Sequence, residues 1–214
     1  QKVYRELDTT LPKSVNFENW PTPDESLQDP LLEQEFDLLL QCVSLAYSAR
    51  QSARLKRRWP LQRIMLVVPQ PVREALKKSE EVFLELANVK KVEYLEELPE
   101  VDLKKWTLVS SDGLHILLDT QRDKALLGEG LMRDLARRVQ ALRKELGFMP
   151  TDILDAAHVA ELDPESVKLL EPYLIEMAEL VRTRKVHVHK KRTEAEAKWH
   201  ERTLDDKKVY VAIT

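Results

Sequence analysis

With 214 residues, 43% of them hydrophobic and 33% charged, the chain has the makeup of a soluble globular protein, long enough for one good core or two small ones, and not of a disordered segment. Its four glycines argue against Gly-rich sandwiches and phosphate-cradling loops. The single cysteine, Cys42, excludes an internal disulfide or a cysteine-built zinc site and fits a reducing cytoplasm. The net charge of −3 hides a segregation: Leu38–Arg73 holds seven Lys/Arg and no acid, 74–103 holds nine acids against four lysines, and 182–192 holds six Lys/Arg and no acid. No apolar run approaches the roughly 20 residues that a membrane helix needs. The opening QKVYRELDTT has neither a signal core nor an initiator Met, the pattern of a piece cut from a longer chain.

Residues 1–30 carry four prolines and the unit SVNFENWPTPDES, and so predict an extended strap with aromatic anchors. Asp29 then caps a helix whose first residue is Pro30, expected to run to about Arg57 before Pro60 stops it. Its two apolar stripes (Leu32, Phe36, Leu39, Val43, Ala46; and Leu31, Leu38, Leu45, Ala49) make a face wide enough for more than one neighbour, as in a bundle. LQRIMLVV (61–68) is strand-like and bounded by prolines, Pro71 opens a second amphipathic helix expected to end near Asn88, and 89–95 is another strand. KWTLVSS and LHILLDT flank Asp112–Gly113, a strong hairpin signal.

A long helix follows over about 122–146. Leu131, Leu135, Val139, Leu142 and Leu146 form its core stripe, Arg133, Arg137, Gln140 and Lys144 lie opposite, and Gly147 stands at the C′ position. Propensity favours helix in LDAAHVAEL within 150–162. Asp163–Pro164 starts a further helix that Pro172 should kink, KVHVHKKR is strand-like, and the terminal segment forms a second hairpin with Val209, Val211 and Ile213 alternating. No internal repeat is evident. This order predicts an α+β fold: strap and long helix, then a small mixed, mostly antiparallel sheet with helices packed on one face.

The basic run at 50–63 can neutralise phosphates, and Trp59 within it can either stack on a base or bury itself against the following strand. A solvated helix end complementing the macrodipole is the plainer alternative. Arg133, Arg137 and Lys144 could extend such a surface or simply face solvent. For 182–192, lysines guarding a strand edge are the expectation. His187 and His189 share the i,i+2 geometry of some metal sites, but no cysteine or nearby carboxylate completes a sphere and Lys185, Lys190 and Lys191 oppose a cation, so no metal is expected. His115, His158 and His200 stand alone in sequence. Nothing here argues for catalysis within the chain.

Three segments in order, SVNFENWP (14–21), ARQSARLKRRWPL (49–61) and RRVQALRKELGFMPTD (137–152), resemble the C-terminal part of isoleucyl-tRNA synthetase, in particular its archaeal and eukaryotic cytoplasmic branch. In that family a Ser-Val-His-x₃-Trp-Pro strap leads into the last helix of the anticodon-binding bundle, which ends in an Arg-Leu-Lys-x-Arg-x-Pro-Leu run; an α+β region with an Arg-Lys helix follows. Asn16 stands where His is usual. Valyl-tRNA synthetase shares the Trp-Pro strap but ends in a coiled coil, which this chain lacks.

The resemblance implies a boundary between 1–60, strap and last bundle helix, and 61–214, the C-terminal domain. It also implies a strand within 150–162. RNA contact carries over to Arg50, Arg54, Lys56, Arg57 and Arg58, with Arg133, Arg137, Arg143 and Lys144 as a second set. The implied partners are tRNA(Ile) and the catalytic and editing domains of the same parent chain, in the cytoplasm and away from any membrane. The parent would be a class I ligase using ATP and Mg²⁺; the HIGH- and KMSKS-type signatures are absent from this sequence, so no cofactor is expected in this part of it. A stand-alone RNA-binding module and a protein-docking domain using the acidic 74–103 face are the rival expectations.

Overall fold

Asp29 accepts a hydrogen bond from the Leu32 amide at 3.0 Å, and Pro30 needs no donor at the first helical position, so helix α1 (Pro30–Ser52) starts where the sequence places it. The computed structural model describes residues 15–17, 19–20, 22–192, 197–204 and 207–214. The remainder of the expected strap and the turn of the second expected hairpin lie outside the described residues. The chain divides into two units, Gln1–Gln34 and Glu35–Thr214. In the first, 3₁₀ turns at Val15–Phe17 and Glu25–Leu27 break the extended path; Asp24 caps the latter through the Ser26 amide at 3.0 Å, while Phe17 and Trp20 are exposed.

In the second unit α1 ends at Ser52, five residues short of the expected Arg57. Arg54 adopts a left-handed conformation (φ 54°) and the Leu55 amide closes on the Arg50 carbonyl at 2.8 Å, a left-handed C-cap. Arg54, Lys56, Arg57 and Arg58 therefore sit on a connecting loop. The first sheet, in the order β2-β1-β4-β3, comprises β1 (Leu61–Val67), β2 (Val89–Leu95) and the hairpin β3 (Trp106–Ser111) and β4 (Leu114–Asp119). β1 pairs parallel with β2 and antiparallel with β4. Asp112 and Gly113 both have positive φ, as a two-residue type I′ turn requires. The expected single helix after Pro71 is two helices, α2 (Gln70–Lys78) and α3 (Glu80–Ala87), because Ser79 leaves helical geometry (φ −123°, ψ 34°). Leu39, Cys42, Val43, Ala46 and Ala49 of α1 share one core with Ile64, Leu66, Leu76, Phe83 and Ile116.

A second four-stranded sheet, β6-β5-β8-β7, corrects the expectation of a single sheet. It follows α4 (Lys124–Glu145), which Asp123 caps through the Leu126 amide at 2.8 Å and Gly147 (φ 83°) ends as expected. Its members are β5 (Leu154–Ala160), β6 (Thr183–His189), β7 (His200–Leu204) and β8 (Lys207–Ile213). β5 overturns the helical propensity of LDAAHVAEL: as a central strand it pairs parallel with β6 and antiparallel with β8, with Ala156, Ala157, Val159 and Ala160 buried. Between β5 and β6 run α5 (Pro164–Leu170) and α6 (Leu174–Val181), separated by a 3₁₀ turn at Glu171–Tyr173 that contains Pro172, the expected break.

The two halves repeat each other. Each runs long helix, strand, two short helices, parallel strand, antiparallel hairpin, and the two sheets have the same order. Arg143 lies 93 positions after Arg50, and both are buried. Arg50 donates to the carbonyls of Lys56, Trp59, Ala87 and Asn88 at 2.6–3.3 Å; Arg143 donates to those of Met149, Asp152, Val181 and Arg182 at 2.7–3.2 Å. Those carbonyls correspond one for one, at offsets of 93 in the loop after the long helix and 94 before the second strand. Asn88 and Arg182 both adopt left-handed geometry (φ 53°), and Tyr47 and Gln140 donate equivalently to Leu86 and Leu180, each at 2.9 Å. Each guanidinium thus ties the end of a long helix to the two chain segments that enter the sheet.

Candidate nucleic-acid interface

The loop 53–60 is fixed by Asp134, a buried carboxylate on α4. It accepts the Trp59 indole N–H at 2.9 Å and Lys56 Nζ at 3.1 Å, and lies 3.2 Å from Arg58 Nη1. The indole lies against Gly130, where a Cβ would come within 2.6 Å of the ring; only glycine lets Trp59 approach the helix so closely. The cations Lys56 and Arg122 sit over the same ring at 5.5 and 4.9 Å from its centroid. Trp59 is therefore an interior anchor with a cationic surround. Burial pushes the Asp134 carboxyl up, but hydrogen bonds from Trp59 and Lys56 and the charges of Lys56 and Arg58 outweigh it and leave the group below its ordinary value.

A lowered carboxylate stabilises the fold above its unfolded value of about 3.8 and loses that contribution as pH falls through its folded value. Asp134→Asn is accordingly expected to lower the unfolding free energy by about 1–3 kcal/mol at pH 7. In urea unfolding series the gap to the parent should start to narrow below about pH 3.8 and close as pH falls through the lower folded value, where Asp134 becomes neutral. A gap of constant size down to pH 3 would contradict the ionic role.

Beyond this hub, Arg57, Arg58, Lys90 and Arg133 line one groove of about 510 Å³, with Tyr47 and Asn88 in its walls. The Arg57 guanidinium stacks over the Tyr47 ring, 3.4 Å from its centroid. Arg133 donates to Asn88 Oδ1 at 2.9 Å and pairs with Glu129 at 2.6 Å; Lys90 pairs with the other Glu129 oxygen at 2.7 Å. Buried Glu129 thus aims two cations along the groove, and it neutralises only one of them. Arg137 follows Arg133 one turn along α4, Lys144 follows two turns later on the same stripe, and both are exposed. Arg54 is exposed on the loop.

The expected site residues fall into four overlapping groups. Arg57, Arg58 and Arg133 come together in the groove, joining the two sets that the sequence keeps some 75 positions apart. Arg54, Arg57, Arg137 and Lys144 are exposed and hold no ion pair among the described residues. Lys56 and Arg58 are held by Asp134. Arg50 and Arg143 are corrected: both are interior and their donors go to the protein's own carbonyls. Burial lowers the Arg50 guanidinium to about 10, so it remains a cation at neutral pH. Sequence reading missed Tyr47, Asn88, Lys90, Arg122, Glu129 and Asp134. Asp134 and Glu129 stand one helical turn from Arg138 and Arg133, and that spacing was the available signal.

The histidines also differ from expectation. The parallel register brings His158 opposite His187, and His158 Nδ1 lies 3.0 Å from His189 Nε2, so His158 is not isolated. Among the described residues no group of three His, Cys, Asp or Glu is arranged to hold a metal ion. No helix among them is long and apolar enough to cross a membrane.

No protein-family model matches the chain. Its similarities lie with curated isoleucine–tRNA ligases. That of Dehalococcoides mccartyi (strain CBDB1) is 28% identical over 172 residues, covering 78% of this chain and 17% of the relative. That of Methanosarcina acetivorans is 31% identical over 150 residues, 69% of this chain and 13% of the relative. That of Methanopyrus kandleri reaches 40% identity over 89 residues, 42% of this chain and 8% of the relative. The chain thus spans about a sixth of the length of the first of these relatives, and it is related to one region of isoleucine–tRNA ligases.

Proposed function

We propose that the chain is the C-terminal, anticodon-side tRNA-binding region of an isoleucine–tRNA ligase of the archaeal and eukaryotic type. It holds tRNA(Ile) while the catalytic and editing domains of the same parent chain carry out ATP- and Mg²⁺-dependent aminoacylation in the cytoplasm. The observation that carries this reading is the groove of Arg57, Arg58, Lys90 and Arg133, continued by Arg137 and Lys144 along α4. Three of these six cations pair with just two carboxylates, and the other three hold no ion pair among the described residues. Such a stripe suits a phosphate backbone, and neutralising each phosphate releases counterions.

Residues 1–60 serve as the strap and last helix of the anticodon-binding bundle, and 61–214 as the C-terminal domain. α1 belongs to both: its later half completes the core of the first repeat, while Phe36 and Leu40 are exposed and available to a bundle. In competition against labelled tRNA(Ile), an unlabelled tRNA(Ile) transcript is expected to displace at lower concentration than a tRNA of another anticodon. Equal displacement would contradict the isoleucine-specific reading.

A further inference from the structure

A cavity of about 450 Å³ opens at the carboxyl ends of the parallel strands β5 and β6, between α4, α5 and the last hairpin. Its volume falls within the ~300–1,000 Å³ range of small-molecule sites, and strand carboxyl ends are where open α/β sheets leave ligand crevices. Leu127, Leu131, Leu169 and Val209 make its walls apolar, and Trp59 contributes aromatic surface. Lys190, Lys207 and Lys208 also line it.

The acids in its lining have partners of their own. Asp163 accepts from the Ser166 amide at 2.9 Å and from Lys207 at 3.3 Å, which holds its carboxyl below the ordinary value; Glu161 accepts from Arg192 at 2.7 Å. Lys208 pairs with Glu201 at 2.9 Å, whereas Lys190 is exposed and has no ion pair among the described residues. The result is an apolar, partly aromatic interior with cations beside it. Trp59 links it to the loop that carries Lys56 and Arg58.

We infer that this cavity receives a single unpaired nucleotide, its base against the leucines and Trp59 and its phosphate at Lys190. The nucleotide belongs to the RNA bound along the adjacent cations, and in that respect the inference rests on the proposed function. Free nucleotides share the same chemistry and are separated by experiment.

Leu127 is half-buried, so Leu127→Trp fills the cavity from its edge, and Lys190→Glu reverses an exposed charge. Each variant is measured against a tRNA(Ile) transcript by fluorescence anisotropy and against AMP and UMP by ligand-observed NMR, with thermal unfolding as the check on folding. Both variants are expected to weaken tRNA binding at least 5-fold. Lys190→Glu should also lower the salt dependence, because it removes a phosphate contact. If the parent chain binds tRNA and neither variant weakens it, the inference falls while the proposed function stands. Loss of AMP or UMP binding with tRNA affinity unchanged would assign the cavity to free nucleotides and overturn the RNA assignment. Absence of tRNA binding by the parent chain would remove both readings.

Discussion

Arg143→Ala is expected to lower the unfolding free energy by about 3–4 kcal/mol, and Arg50→Ala by a similar amount. Each guanidinium gives hydrogen bonds to four carbonyls of its own repeat, and truncation removes these charged donors, leaves Lys56, Asn88, Met149 and Arg182 with a backbone donor alone, and opens a side-chain-sized void. Lysine cannot substitute, since one ammonium presents a point charge where a planar fork spans two chain segments. Arg50→Lys and Arg143→Lys should therefore recover less than half of the loss. Urea unfolding with the slope compared between variants is the appropriate measurement. A loss below 1 kcal/mol for both alanine variants would show that the two arginines are incidental to the fold.

These paired arginines also show where the sequence was legible and where it was not. Helix starts were legible because Asp29–Pro30 and Asp163–Pro164 combine a side-chain acceptor with a residue needing no donor. The Asp112–Gly113 turn was legible because it requires positive φ. The duplication was not. Few identities survive at equivalent positions, Arg50/Arg143, Leu61/Leu154 and Pro71/Pro164 among them, because either repeat is satisfied by any apolar set of the right volume. What the repeats share is a hydrogen-bonding pattern to main-chain carbonyls, which places little demand on neighbouring side chains. Missing it led to one expected sheet instead of two.

The candidate interface was half legible. Counting cations found segments that line the groove, but charge alone does not separate an arginine that faces water from one that faces carbonyls. Arg54 and Arg50 are one turn apart, and only the left-handed helix end at Arg54 decides that Arg50 turns inward. The strand at β5 escaped propensity because its alanines are chosen for a crowded central position, a tertiary demand. The groove itself depends on Glu129 and Asp134. These acids sit within an arginine-rich helix, where they look like ordinary solvated charge until Lys90 of β2 reaches Glu129 and the loop 53–60 folds onto Asp134.

The second large effect concerns RNA. Arg57→Glu combined with Arg137→Glu is expected to weaken tRNA(Ile) binding 10- to 100-fold at 100 mM salt, with the thermal unfolding midpoint lowered by no more than about 4 °C. Neither side chain holds an ion pair among the described residues, so beyond the lost stack of Arg57 on Tyr47 the reversal acts on the surface field. Arg58→Glu provides the contrast, because it places two carboxylates together at Asp134 and should lower stability as well. In a longer chain carrying a catalytic domain, the Arg57/Arg137 variant should charge tRNA poorly while isoleucine activation persists. Equal loss of both steps would contradict a role confined to tRNA.

The deciding measurement is the salt dependence of tRNA(Ile) binding by the 214-residue chain from about 50 to 300 mM monovalent salt. If Arg54, Arg57, Arg137 and Lys144 engage about four phosphates, the logarithm of affinity should fall with the logarithm of salt at a slope of about −3, and the Arg57→Glu/Arg137→Glu variant should roughly halve it. Binding that is flat in salt, or no binding at 50 mM, would contradict an RNA surface on this face.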